Sequence, residues 1–115
     1  MKTKVVPEKV IENEILKMLL TLGFYVWKNQ SIGVFDATKK VFRKLGKYQI
    51  KGVSDILGIL PDGRMLAIEV KSSTGRLSVD QGFFIAKINM NGGVAFTARS
   101  VGEVMDKLDL MKVSK

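Results

Sequence analysis

Apolar positions along this chain recur with two different periods, and the changes between them mark out the elements. Behind Pro7, residues Ile11, Ile15, Met18, Leu19 and Leu22 return at helical spacing, and Gly23 suits a left-handed helix cap. That predicts a helix over 8–22 with those five side chains in its buried stripe. Residues 24–27 are short, aromatic and β-prone. Two apolar runs then flank Pro61-Asp62-Gly63 and read as a hairpin. A second helix is expected over 78–90, opened by Ser78-Val79-Asp80-Gln81 in the form of a capping box and ended by Asn91-Gly92-Gly93. Residues 94–98 are apolar and β-prone. Ser100-Val101-Gly102-Glu103 is a further capping-box candidate opening a last helix, with Val101, Val104, Met105 and Leu108 as its buried stripe. The order helix, strand, strand, strand, helix, strand, helix predicts an α/β domain with a mixed central sheet flanked by helices.

The hairpin carries acids where strands rarely hold them. Asp55 opens its first run, and Glu69 lies between Ile68 and Val70 in the second, two residues before Lys71. Ionised groups in apolar runs are costly unless paired or bound to metal. Pro61, Asp62 and Gly63 supply the torsions of a three-residue loop, a type I turn followed by a left-handed glycine. Leu60 then pairs with Arg64, Asp55 falls opposite Glu69, and Lys71 shares their face. A two-residue loop would shift the register by one and send Asp55 to the other face. Two carboxylates and an ammonium on one face suit a hard cation, Mg2+ or Mn2+. The same trio also reads as an ion pair exposed at the strand ends.

Composition narrows the chemistry. With no cysteine and no histidine, disulfides, thiolate or imidazole metal sites and Ser-His hydrolysis are all excluded. Any hydrolysis must rest on carboxylates, lysine and metal. The 115 residues fit one domain, and no apolar run is long enough to span a membrane or to serve as a signal peptide, so a cytosolic protein is expected. The net charge of +8 is uneven: residues 1–52 hold eleven Lys and Arg against four acids. A polyanion, nucleic acid above all, is the expected partner, with plain solubility the alternative.

Much of that charge lies in the irregular stretch between 28 and 52. Lys28, Lys39, Lys40, Arg43, Lys44, Lys47 and Lys51 face a single acid there, Asp36, with Phe35, Phe42 and Tyr48 interleaved. A basic loop or hairpin of this kind suits phosphates and stacked bases, although Val41 and Phe42 also suit a hairpin packed on the core. Arg76 is a further candidate phosphate contact, or a solvated arginine.

Five blocks in order carry a resemblance. They are Gly-Val-Ser-Asp-Ile-Leu-Gly-Ile, Asp-Gly-Arg, Ala-Ile-Glu-Val-Lys-Ser, Gly-Arg-Leu-Ser-Val-Asp-Gln and Gly-Gly-Val-Ala-Phe-Thr-Ala-Arg-Ser-Val. Asp55, 13 intervening residues and then Glu-Val-Lys resemble the PD-(D/E)XK nucleases. The five blocks together resemble the VRR-NUC (virus-type replication-repair nuclease) domain, over residues 10–105. Ser54 stands where that family usually places a proline. The resemblance implies a single nuclease domain over 1–115 that hydrolyses phosphodiester bonds in DNA with Mg2+, Mn2+ being a substitute. It implies metal ligation by Asp55, Glu69 and the Val70 carbonyl, and water activation or orientation by Lys71. Glu12 matches the family's helix glutamate, with Glu8 on the same side of the helix; Gln81 matches a glutamine beside the metal, though its amide also fits the capping box. Compact domains of this family imply a bacterial or phage protein that acts as a homodimer on branched DNA, such as four-way (Holliday) junctions in DNA repair. The alternatives are a catalytically inactive nucleic-acid-binding accessory and a restriction-type nuclease cutting linear duplex.

Overall fold

A computed structural model of the protein describes residues 4–30, 35–36, 41–42 and 47–110. Helix α1 (Glu8–Thr21) leads into strand β1 (Tyr25–Lys28), followed by the short strands β2 (Phe35–Asp36) and β3 (Val41–Phe42). The hairpin β4 (Ile56–Ile59) and β5 (Met65–Val70), helix α2 (Val79–Met90), strand β6 (Val94–Ala98) and helix α3 (Val101–Leu110) complete the order. Four strands form one mixed sheet in the order β1-β4-β5-β6, in which only β6 runs parallel to its neighbour. The predicted α/β class and element order are found, with β2 and β3 added as a separate antiparallel pair within the basic segment.

The hairpin has the expected register. Leu60 N–H donates to Arg64 O at 2.8 Å, Gly63 N–H returns to Leu60 O at 2.8 Å, and Ile56 lies opposite Ile68. Gly63 adopts φ +93°, the left-handed torsion the three-residue loop requires. The Asp62 carboxylate accepts from Arg64 N–H at 3.0 Å and from its Nε at 2.7 Å. The backbone bond first, then the guanidinium, holds Asp62 below the usual carboxylate range.

Strand alternation divides the core in two. Val26, Ile56, Leu66, Ile68, Val94 and Phe96 meet Ile11, Ile15 and Leu19 of α1 and Val104 and Leu108 of α3. On the other face Ala67 and Ala95 meet Phe84 of α2, with Leu57, Ile85 and Ile88 around them. The spacing of four between Ile11, Ile15 and Leu19 is thus the buried stripe of α1. Leu22, expected to belong to it, is exposed, because the helix ends at Thr21 and the chain turns away at Gly23, φ +90°. Met105 is likewise exposed, while Val104 and Leu108, one turn apart, hold α3 to the sheet.

The two caps differ. Ser78 and Gln81 form a complete capping box, with Gln81 N–H donating to Ser78 Oγ at 3.1 Å and Ser78 N–H to Gln81 Oε1 at 2.9 Å. At α3, Ser100 Oγ accepts from Glu103 N–H, but the Glu103 carboxylate accepts from Arg99 N–H, one residue before the expected donor. Among the described residues no helix is long and apolar enough to cross a membrane.

Candidate active site

Because β4 and β5 pair around a three-residue loop, the residues just beyond their ends meet at one rim of the sheet. Asp55 precedes β4; its carbonyl accepts from Asn29 N–H at 2.7 Å, which carries the β1–β4 pairing one residue past Lys28. Its Oδ2 accepts from Val70 N–H at 2.8 Å, so the carboxylate is turned toward the end of β5. Glu69 lies there at 2% exposure, on the face that α2 covers.

Gln81 serves both readings that its sequence position allows. Its Oε1 closes the capping box, and its Nε2 donates to Glu69 Oε1 at 2.9 Å. The helix cap therefore fixes the amide that orients the acid. Gly52 brings α2 that close. With φ +75°, it passes so near the start of α2 that a Cβ there would lie 2.4 Å from Asp80 C and 2.6 Å from Gln81 N. Only a glycine allows that approach.

The other oxygen of Glu69, Oε2, is buried without a hydrogen-bond partner. Its carboxyl pKa is pushed up to about 8, first by burial and next by the negative charge of Asp55; Lys71 offsets part of the rise. Asp55 is an acceptor as well, so the two carboxylates cannot satisfy each other unless a proton, a cation or a donating water lies between them. Lys71 Nζ lies 3.8 Å from Glu69 Oε1 and 3.9 Å from Glu8 Oε1.

These groups open onto a recess of about 360 Å3 lined by Asp55, Glu69, Val70, Lys71 and Gln81 together with Glu8, Lys9, Glu12, Lys28, Asn29 and Gln30. Glu12 is buried beside it and paired with Lys28 at 3.2 Å. Among the described residues no group of three acidic side chains converges on one point. The donor set is therefore two hard carboxylates, one with an orphaned oxygen, which fits a divalent cation that takes its other ligands from water and substrate.

The structure thus brings Asp55, Glu69, Val70, Lys71, Gln81 and Glu12 to one recess and adds Lys28 from the basic set. Lys47, Lys51 and Arg76 are exposed outside its lining, with Lys47 Nζ 5.5 Å from the centroid of the Tyr48 ring. Lys39, Lys40, Arg43 and Lys44 lie outside the described residues. The sequence reading missed Lys9, Asn29 and Gln30 as lining residues and the Glu12–Lys28 pair. Proximity of Lys28 to the acid-bearing strand was the signal available, since Asn29 falls opposite Asp55 once β1 pairs with β4.

Comparison with known proteins bears on the fold and the family. A solved structure described as a "VRR_NUC domain protein" superposes with a TM-score of 0.66, covering 92% of this chain and 88% of that one at 17% identity, which establishes a shared fold. No curated protein matches the sequence. The VRR-NUC domain profile matches residues 8–102, spanning α1 to the start of α3 and every residue of the recess. The chain belongs to the VRR-NUC domain family, nucleases of the PD-(D/E)XK type.

Proposed function

We propose that this protein is a divalent-metal-dependent endonuclease that hydrolyses phosphodiester bonds in DNA, acting on branched DNA such as four-way junctions as a homodimer of a single domain over 1–115. One observation carries the reading: a carboxylate at 2% exposure, Glu69, keeps an oxygen without a donor while facing a second carboxylate at an open recess. In an unloaded protein that arrangement is unfavourable. A bound cation reverses the sign of the interaction.

Asp55 and Glu69, with the Val70 carbonyl, would hold Mg2+, or Mn2+ in its place. When bound, such an ion acidifies a water and polarises a phosphoryl oxygen. Gln81 keeps Glu69 in position through its Nε2 donor. Lys71, held between Glu69 and Glu8, orients the attacking water and supplies positive charge where negative charge grows on the phosphate. Glu12 presents the α1 carboxylate, with Lys28 as its partner and as a phosphate contact. Lys39, Lys40, Arg43, Lys44, Lys47, Lys51 and Arg76 would hold the DNA backbone around the recess.

A homodimer suits a junction because two strands must be cut, and a two-fold axis presents two identical sites. The test is cleavage of a labelled four-way junction beside a linear duplex of the same sequence, with light scattering on the same protein. Preference for the junction, with a mass of two chains, is expected. A monomer cutting the linear duplex at a fixed sequence would overturn the branched-DNA assignment in favour of a restriction-type enzyme.

A further inference from the structure

Helix α2 covers β5 and β6, and among the described residues nothing covers the β1 side of the same face. Tyr25 and Trp27 stand there at 70% and 42% exposure, with their ring centroids 5.7 Å apart and their planes inclined at 61°. This edge-to-face contact holds the rings together without stacking one flat upon the other. Ile59, opposite Tyr25, is exposed beside them. Strand preference accounts for aromatic residues in β1. It does not account for placing both on the uncovered face.

The register relates this pair to the acids. Trp27 lies opposite Leu57, whereas Asn29 binds the backbone of Asp55. Trp27 therefore shares a sheet face with Asp55 and Glu69 and lies two residues, about 7 Å, along the strand from the row they occupy. Lys28 and Asn29, the next residues in the chain, already line the recess.

We propose that Tyr25 and Trp27 form a stacking platform for an unpaired base of the DNA whose backbone enters the recess, an inference that rests on the nuclease reading above. Single-stranded nucleic acids bind by this combination, a basic track for phosphates and exposed rings for bases. The charge is complementary: the chain carries +8, concentrated in the segment that follows β1. A second copy of the chain fits less well. The exposed part of the two rings amounts to roughly 200 Å2, against about 800 Å2 per partner for a stable dimer. The platform selects substrates with an unpaired or splayed nucleotide near the cut, such as the branch point of a junction or flap.

Trp27 is the only tryptophan, so its fluorescence reports this position alone. The experiment titrates the full chain with oligo-dT and with a blunt duplex in EDTA, following tryptophan emission together with anisotropy of the labelled DNA. Saturable quenching by oligo-dT and little by blunt duplex is expected. Trp27→Ala should weaken oligo-dT binding roughly 5- to 100-fold, Trp27→Phe should restore most of it, and circular dichroism checks that both variants fold. Binding seen by anisotropy without quenching would overturn the platform, as would an emission change that follows protein concentration with a doubling of mass, since a second copy would then cover the face. Cleavage measured in parallel with Mg2+ separates the two readings. Quenching without cleavage of any DNA leaves the platform and removes the nuclease; cleavage without quenching does the reverse.

Discussion

At the scale of single residues, Glu69 concentrates the tension between folding and function. Its carboxyl has a pKa of about 8 in the fold against 4.5 for the free group, chiefly because it is buried and then because it faces Asp55. Between those values the folded protein binds more protons than the unfolded chain. The stability linked to this group is therefore complete below pH 4.5 and lost as pH rises through 8. Glu69→Gln, which keeps an acceptor for Gln81 and gains a donor for Asp55, should raise the melting temperature of the metal-free protein at pH 8.5 by about 4 °C or more. Well below pH 4.5, where the carboxyl is protonated in both states, the gain should vanish. A difference independent of pH, measured by thermal melts in EDTA, would count against the buried acid. Mg2+ should then stabilise the wild type by about 2.7 kcal/mol at a hundredfold excess over its dissociation constant, and leave Glu69→Gln unmoved. The pairing of Asp55 with Glu69 was legible in the sequence, because Pro61-Asp62-Gly63 dictates the loop and the loop dictates the register. The Glu12–Lys28 pair was not, since it depends on how α1 crosses the sheet, which no local spacing encodes.

At the scale of elements, the site is a junction of three parts: the β4–β5 hairpin, the start of α2 and the first turns of α1. Gly52 sets the second of these against the first. Gly52→Ala combines left-handed strain with a clash against Asp80 and Gln81, and should cost roughly 2–4 kcal/mol. It should also displace the Gln81 amide and lower kcat. Gly63→Ala is the control, as Gly63 has a similar φ but open space around it, so only the strain of about 1–2 kcal/mol should appear, with activity kept. Equal losses in denaturant melts and in activity would remove the argument from close packing. The capping box of α2 was readable from Ser78 and Gln81 alone. Its second role, aiming Nε2 at Glu69, required knowing which strand α2 lies on, and the resemblance rather than the spacing supplied that. Leu22 and Met105 fit their helical stripes by period, yet the helix end and the narrow contact of α3 leave both in solvent.

At the scale of the whole molecule, the sheet order places the acid pair at a rim between α1 on one face and α2 on the other, with the +8 charge set mainly on the N-terminal half. DNA binding should therefore weaken steeply with salt, as each neutralised phosphate releases counterions. Replacing Lys47 and Lys51 together by alanine should reduce the slope of log K against log salt by about 1–2 and leave single-turnover cleavage at saturation intact. An unchanged slope would place the DNA elsewhere. The fold class and the order of elements along the chain were legible because periodicity and turn residues agree along most of the chain. The basic stretch was legible only as charge and aromatic content, since neither period holds there. The most direct test of the central claim is cleavage of a labelled four-way junction across a Mg2+ titration, with wild type beside Glu69→Gln. The wild type should cut only with the cation, and Glu69→Gln should lose at least about a thousandfold, roughly 4 kcal/mol of barrier, while binding the junction as well as before. Equal cleavage by both proteins, or wild-type cleavage in EDTA, would contradict a metal site built on Asp55 and Glu69.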